Sequence, residues 1–440
     1  MRWKPEKNEW NNRSGIVMNY DVIIVGGGPA GIGAAYAAAG CGAKTVLLER
    51  NGRLGGTAVH SVVGPMMGSV KSTVVEEILA RIGGHCVDFR SVDLALFDLL
   101  CERGVEVLLH APVVGVLLDG KRVTGVEAAC REGTRSFRAG CVIDCSGDGD
   151  VAFRAGVPFE TGRSGDGLMQ PVSILYLIAG IDPRRRIICR SEQEARVVTI
   201  EGRTWEERVL EAQAAGRLPD TVSVVRLYPA VRNDENIVNA VQVNHINGCS
   251  SADLTRAEIE GRRQAFQILA FLRETVPGYE NAFISQMPAA IGVRETRRFE
   301  GVARLEKEDC LRGSRFADAV VHQACFVIDI HNPDGGGQAA GRAENPVGTA
   351  ERAQPYDIPY GTLLPRQIDG LLFAGRCISA SHEALASCRV MCIAMALGAG
   401  AGTAAAYAAG HGCALREVPI QKIQPRLFHR STTGSKQECQ

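Results

Sequence analysis

The sequence predicts an α/β fold in which a three-layer nucleotide-binding domain is assembled from two separated stretches, with an α+β domain inserted between them. Three observations carry this prediction. An apolar run at residues 21–25 leads into a glycine-rich turn, a second such strand and turn stands at residues 142–148, and a third at residues 370–376. Apolar runs of this length suit parallel strands buried on both faces.

The first run, Asp21-Val-Ile-Ile-Val25, is followed at once by Gly26-Gly27-Gly28-Pro29-Ala30-Gly31 and a small-residue helix over Ile32 to Gly40. Each glycine answers a distinct physical need. Gly26 permits the tight turn, Gly28 lets a pyrophosphate reach the backbone, and Gly31 allows helix and strand to pack closely. Pro29 and Ala30 begin the helix, whose N-terminal N–H groups and positive dipole suit phosphate. A second strand, Lys44–Leu48, ends at Glu49, 18 residues after Gly31, where a carboxylate can accept both hydroxyls of an adenosine ribose. That acid argues against a 2′-phosphate. The whole unit reads as a Rossmann-like dinucleotide site, with Arg50 beside the acid.

Later segments favour FAD over NAD. Arg53-Leu54-Gly55-Gly56-Thr57 is a second glycine turn placed to follow the pyrophosphate and ribityl chain. Val105–Cys145, which includes Val113, alternates apolar strands with turns at Asp119-Gly120 and Glu132-Gly133, a small β-meander. It ends in Val142-Ile-Asp-Cys145 and the turn Ser146-Gly147-Asp148. Gly370–Arg376 is again strand then glycine, at Gly375 and Arg376, ahead of an Ala/Gly-rich helix that starts near Arg389 and Val390. An NAD domain is normally contiguous. A nucleotide domain completed near the C-terminus is the habit of FAD folds.

Size and charge fit this reading. At 440 residues and 45% hydrophobic the chain can form two or three packed units. Its 49 Lys+Arg balance 49 Asp+Glu, so no whole-molecule field draws nucleic acid or an anionic membrane. Among fifteen cysteines there is no Cys-x-x-Cys; the closest pairs, Cys141/Cys145 and Cys388/Cys392, complete no metal site. No metal is expected, and the odd count without a secretory signal predicts reduced thiols in the cytoplasm. Ile393–Gly410 is long enough to span a bilayer but weakly hydrophobic, and reads as a close-packed internal helix, so no membrane insertion is expected.

These stretches, with Leu54–Thr57, Asn244-His245, Leu254–Arg262, Ile291–Arg298, Asp329–Asp334 and Gly375–Val390, resemble the FAD-dependent oxidoreductase family distantly related to the flavoprotein subunits of fumarate reductase and succinate dehydrogenase. The resemblance covers residues 20 to about 410. It implies an FAD domain of the glutathione-reductase/fumarate-reductase type in two parts, 20–160 and 346–412. A substrate or cap domain at 161–345 lies between them, with a disordered extension at 1–19 and a tail at 413–440. It implies FAD as cofactor and hydride transfer between a small organic substrate and flavin N5. The implied cofactor-binding set is Gly26, Gly28, Pro29, Ala30, Gly31, Glu49, Arg50, Gly55, Gly56, Thr57, Val113, Ser146, Gly147, Asp148, Gly375, Arg376, Arg389 and Val390.

The residue after Gly-Gly-Thr is Ala58, where disulfide reductases carry a cysteine, and no second glycine fingerprint stands between 151 and 345. Donor and acceptor are therefore expected to meet the flavin at one face in ping-pong fashion, with neither an internal disulfide nor a nicotinamide domain. The resemblance breaks at His60, where a small residue is expected; a histidine there could link covalently to the flavin.

Apolar strands at Val172–Ile178 and Ile237–Val243 flank a helix from about Ala252 to Glu274, starting at Ser251-Ala252-Asp253. This inserted domain offers the catalytic candidates. Arg294 could hold a substrate carboxylate or stabilise charge on the flavin, or else pair with Glu295 and Glu300. His331 shares a strand face with Asp329 and suits an acid or base, or else a strand-end hydrogen bond. His245 ends another strand and is a third candidate. His382-Glu383 either approaches the flavin ring or caps the final helix. Two further readings stay open: a redox subunit serving a separate iron–sulfur or other electron-carrier protein, and a flavoprotein lyase or isomerase. Homo-oligomer formation is equally open.

Overall fold

Burial on both faces makes the first apolar run a central strand. The computed structural model describes residues 18–189, 191–222, 225–336 and 351–428, without the side chains of residues 192 and 193. Strand Met18–Val25 lies parallel to Thr45–Leu48 on one side and to Gly133–Asp144 on the other. Glu106–Leu108 extends the sheet beyond Thr45–Leu48, and Leu371–Phe373 pairs with Val142–Asp144, both in parallel. One five-stranded parallel sheet is thus completed by a strand from the far end of the chain. The N-terminal half of Gly133–Asp144 instead pairs antiparallel with Arg122–Cys130, which pairs with Val113–Asp119. The meander therefore starts at Val113, not Val105. Glu106–Leu108 follows the helix Val92–Glu102, and such a crossover returns it parallel to the sheet edge.

Two helices lock onto each other without side chains between them. A Cβ added to Gly33 in helix Pro29–Gly40 would overlap the Met395 carbonyl oxygen. One added to Gly398 or Gly402 in helix Met391–His411 would overlap the carbonyl of Ala30 or Ala34. This close approach needs glycine. The second helix is long and apolar enough to cross a membrane, but 94% of its most apolar window is buried within the fold. It is an internal helix, as its composition predicts.

The inserted domain has its own core, drawn from Val172 to Ile291. Leu175–Ala179 lies between Asn236–Asn239 and Phe283–Gln286, with Arg226–Pro229 outermost, all antiparallel. Helix Ser251–Thr275 packs against them through Gly261, where an added Cβ would stand 2.8 Å from Ile174 Cδ1. Its N-cap is Ser250, whose hydroxyl accepts from the Asp253 N–H, one residue before the expected start.

Three expected boundaries shift. Residues placed by sequence in the cap up to 345 return early: Arg297–Phe299 pairs with Phe159–Thr161, and Ala319–Cys325 pairs with Tyr356–Pro359 and Ser69–Lys71. Phe299 and Val321 accordingly lie in the first core. The stretch from residue 413 is no simple tail, because helix Ile420–Leu427 buries Ile420, Ile423 and Leu427 at helical spacing in that same core. At the other end, Met18 and Asn19 belong to the first strand, so only residues 1–17 of the expected extension, like 429–440 of the tail, fall outside the described residues. Among the described residues, thirteen cysteines carry free thiols.

Candidate functional site

Two glycine turns face each other at the start of the first helix. Gly26 has φ +102°, and a Cβ there would press within 2.5 Å of the Cys145 carbonyl oxygen. Gly31 allows the helix to sit on that turn, since its Cβ would overlap the Gly26 carbonyl. Gly28, the helix N-cap, has open space: a Cβ there would meet nothing nearer than Gly56 Cα at 3.7 Å. Gly56 has φ +54°, and its Cβ would stand 2.7 Å from Gly28 Cα. The Gly55 N–H donates to the Gly27 carbonyl at 2.8 Å, tying the turns together. Gly375 brings the third turn alongside Ala30.

Glu49 is buried and held by both turns of its neighbourhood. Its Oε2 accepts from the Gly27 N–H at 2.6 Å, and its Oε1 accepts from the Asn51 N–H and Nδ2, each at 2.8 Å. The turn at Ser146–Asp148 is organised from below by Asp144. That carboxylate accepts from the Ser146 N–H and hydroxyl and from the N–H groups of Val151 and Ala152 at 2.7–3.1 Å. Burial pushes its pKa above the ordinary value. Ser146 thus spends its hydroxyl inside the turn. Asp148 accepts from Arg376 Nη2 at 3.0 Å and Thr296 Oγ1 at 3.2 Å, with exposed Arg50 at 3.6 Å. Arg376 Nη1 is buried with no hydrogen-bond partner among the described residues. A bare, glycine-lined cradle, an oriented acid and an unsatisfied guanidinium donor fit a dinucleotide. Thr57 opens the short helix Thr57–His60, Val113 opens a strand, and Val390 is the N-cap of helix Met391–His411.

A second group of polar side chains gathers where the inserted domain meets this cradle. Arg389 donates from Nη2 to Asp329 Oδ2 and to the Asp329 carbonyl, each at 3.0 Å. His331 Nε2 lies 3.6 Å from Asp329 Oδ1, a close contact too long for a hydrogen bond. Arg294 donates to the Pro171 carbonyl at 2.6 Å and to Ser173 Oγ at 2.9 Å. The electrostatic fields of Arg389, Asp329, Arg226 and Tyr228 all act on Arg294.

Gln170, 1% exposed, joins the parts. Its Oε1 accepts weakly from the His331 N–H and Arg389 Nη2 at 3.4 and 3.5 Å, and its own N–H donates to Glu295 Oε2 at 3.2 Å.

Burial decides the charge states. Burial, and then the positive charge of Arg294, pull His331 down to about 3 despite nearby Asp329, so its imidazole is neutral at pH 7. Burial alone would raise Asp329, but His331, Arg389 and Arg294 outweigh it and hold the carboxyl far below the usual range. Burial and the charge of Arg389 pull Arg294 down to about 9, which leaves it charged at neutral pH.

The sequence candidates separate into those brought together and those not. Arg294 and His331 lie within electrostatic reach of each other, and Arg389, from the cofactor set, acts on Arg294 and pairs with Asp329 beside His331. The alternative pairing of Arg294 with Glu295 and Glu300 is not formed. Glu295 is taken by Arg298 and by His382 Nδ1 at 2.9 Å, and Glu300 by Arg366 at 3.0 Å. Asp329 and His331 do share a side, but the strand ends at Cys325. His245 does not join the cluster: it is exposed at φ +55°, with its carbonyl accepting from Arg256. Its neighbour Asn244 instead donates to the carbonyls of Pro333 and Gly335, bracing the loop after His331. His60 Nε2 lies 3.1 Å from the Arg53 carbonyl, a local bond within its own turn. His382 is buried on Glu295, and Ser381 caps the short helix that follows.

Gln170 carries no motif; Glu295 and Arg298 stood in the Ile291–Arg298 stretch, Glu295 only as an alternative partner of Arg294 and Arg298 with no role of its own. A surface groove of about 510 Å³ between helix Ser251–Thr275 and the edge strand Phe283–Gln286 is lined by no acid, histidine or thiol. Among the described residues no three acid, histidine or cysteine side chains are grouped to hold a metal ion.

A split parallel sheet, a double glycine cradle and a buried polar cluster over it define an FAD-type flavoenzyme. The family model "FAD dependent oxidoreductase" matches residues 21–427, and the chain belongs to that family; it is an FAD-dependent oxidoreductase. One relative is digeranylgeranylglycerophospholipid reductase 1 of Methanopyrus kandleri, 33% identical over 150 residues, 30% of this chain and 40% of that protein. Another is leghemoglobin reductase of Glycine max, 32% identical over 108 residues, 24% of this chain and 21% of that protein. The match thus spans less than half of either relative. Among solved structures, a geranylgeranyl bacteriochlorophyll reductase-like protein from Thermoplasma acidophilum superposes with TM-score 0.45 at 15% identity, over 94% of this chain and 85% of that one. These likenesses are distant, and the fold assignment rests on the sheet order and the family match.

Proposed function

We propose that the protein transfers a hydride between a small organic substrate and N5 of its FAD at the cluster of Arg294, Asp329, His331 and Arg389. The observation that carries this reading is the convergence of an ionised Asp329 and a neutral His331 from a segment far in sequence from Arg294 and Arg389. When bound, FAD supplies a two-electron carrier at N5. The backbone of Gly26–Gly28 and Gly55-Gly56 would hold the pyrophosphate at the helix N-terminus, with Glu49 on the ribose. Arg376 Nη1 offers a further donor, and the N-terminus of helix Met391–His411 would face the flavin ring.

The neutral imidazole of His331 can take or return the substrate's proton at Nε2. Asp329, 3.6 Å away, favours the imidazolium as it forms. Arg389 keeps that carboxylate in place. Because the two redox partners have one polar face to share, the reading is a single-site ping-pong cycle. The names of the archaeal relatives refer to lipid substrates; the buried charges here favour a small polar one.

Anaerobic titration of the purified holoprotein with a panel of small hydroxy, amino and unsaturated compounds tests the reading. Loss of flavin absorbance near about 450 nm with one compound class is the expected result. A protein that binds no FAD, or flavin that no compound and no reductant–product pair can turn over, overturns it. Acid precipitation of the same sample reports the linkage: flavin released to the supernatant is non-covalent, whereas colour kept in the pellet assigns the bond to His60.

A further inference from the structure

We propose that Arg294, Arg389 and Gln170 form a subsite for the carboxylate of an organic acid, which makes an organic acid the substrate class of this enzyme. The inference rests on the reading above that this cluster is the reaction site.

Unsatisfied donors mark the subsite. Gln170 is almost wholly buried, yet its Nε2 has no hydrogen-bond partner among the described residues. The amide cannot simply be turned round, because the opposite oxygen faces the N–H of His331 and Arg389 Nη2. Arg389 Nε is also buried without a partner there, although Nη2 of the same guanidinium donates to Asp329 and, more weakly, to Gln170. Leaving buried donors unpaired is costly, because each has given up its water and gained nothing in return. A ligand that accepts from both removes that cost.

Charge points the same way. Among the described residues the charges of Arg294 and Arg389 both act on the Asp329 carboxylate, while His331 stays neutral and Glu295 is committed to Arg298 and His382. Arg294 forms its hydrogen bonds to a carbonyl and a hydroxyl, neither of them charged, and each of its terminal nitrogens keeps a second N–H. Burial and repulsion from Arg389 both work against its charge. The Arg226 charge acts on Arg294 and His331 as well. An anion placed between Arg294 and Arg389 relieves this repulsion and meets the planar donor array that guanidinium presents to carboxylates. A structural ion cluster, by contrast, would balance its charges and satisfy its donors.

The role of Gln170 follows from its place. It donates a neutral hydrogen bond through Nε2 and holds Arg389 through Oε1, so it selects for a carboxylate without adding charge. It is a specificity-determining residue that also positions Arg389.

The experiment is isothermal calorimetry on the full-length holoprotein with two acid–amide pairs, succinate against succinamide and benzoate against benzamide. At least one acid is expected to bind about 10-fold or more tightly than its amide, the scale of a charge-assisted pair over a neutral one. That ratio should fall towards one in Arg294→Gln and in Gln170→Glu, which sets a carboxylate against the incoming one. Arg294→Lys, which keeps the charge, should retain part of the selectivity and guards against a folding defect; all variants are compared at matched flavin content. Amides that bind as well as acids, no binding by either acid, or selectivity unchanged in both variants overturns the proposal. If neutral compounds bleach the flavin while acids fail to compete, the organic-acid assignment fails and hydride transfer stands. If an acid binds with the expected selectivity but no acid exchanges electrons with the flavin, the subsite stands and the hydride reading fails.

Discussion

Arg389 uses a single nitrogen, Nη2, to hold both the carboxylate and the carbonyl of Asp329, each at 3.0 Å. Backbone and side chain of Asp329 are therefore fixed together, and the remaining oxygen, Oδ1, is turned to His331 at 3.6 Å. This couples Arg389, the C-cap of helix His382–Cys388, to Asp329 and His331.

Asp329→Asn keeps the shape and removes the charge. Turnover, read as the rate of flavin bleaching in single-turnover mixing, should drop about 100-fold, the usual scale for a disabled acid–base partner. The same change leaves Arg389 and Arg294 unopposed, so the melting temperature should also fall by several degrees, since breaking a buried pair costs roughly 3–5 kcal/mol. Affinity for a carboxylate ligand should rise rather than fall. Unchanged turnover in Asp329→Asn would remove this pair from the reaction.

Acid should destabilise the fold through the same cluster. The folded pKa of His331, about 3, lies below its ordinary value. The unfolded chain therefore takes up a proton that the folded chain refuses as pH falls below about 6.5. Asp329 is shifted in the same direction, so its contribution is present above the usual carboxylate range and lost as pH falls through and below it. Urea midpoints should decline from about pH 6.5 to about pH 4.5. His331→Gln should flatten that decline by about one proton, and an unchanged slope would show that His331 titrates normally.

The nucleotide domain was legible because its chemistry is local. Gly26, Gly28, Gly31 and Glu49 stand within one strand–turn–helix–strand unit, and Gly26 and Gly31 are each required by an atom close by, the Cys145 and Gly26 carbonyls. The split was legible too, because Leu371–Phe373 keeps the apolar run and glycine of a parallel strand. Other features depend on partners distant in sequence. Glu295 was expected to serve Arg294 one residue away but is held by Arg298 and by His382, 87 residues later. The strand expected to run to His245 stops at Asn239, and a left-handed backbone at His245 turns the chain and leaves it exposed. Gln170 belongs to no motif; its importance lies in three bonds to segments around 295, 331 and 389.

The backbone contact between the two long helices gives a packing prediction. Gly398→Ala would drive a methyl group into the Ala30 carbonyl, whereas Gly410, in the same helix, has nothing within 4 Å of an added Cβ. Overpacking of this kind costs roughly 1–3 kcal/mol, and Ala in place of an open helical Gly adds up to about 1 kcal/mol of stability. Gly398→Ala should lower the melting temperature and the flavin content together, because Ala30 lies in the first turn of the cradle helix. Gly410→Ala should leave both unchanged or slightly raised. Equal behaviour of the two variants would mean the helices do not meet through glycine.

Gly56 tests the cradle itself. At φ +54° an alanine is strained, and its Cβ would stand 2.7 Å from Gly28 Cα, across the gap where the two turns face each other. Gly28 and Gly56 are both partly exposed, so the change should act on cofactor before it acts on fold. Gly56→Ala should purify with less than about a tenth of the wild-type flavin, the effect of closing a phosphate-binding turn. The apoprotein formed by stripping wild type should melt near the same temperature as this variant, which separates lost cofactor from lost packing. Full flavin occupancy in Gly56→Ala would place the pyrophosphate elsewhere, and the assignment of Gly28 and Gly56 would fall with it.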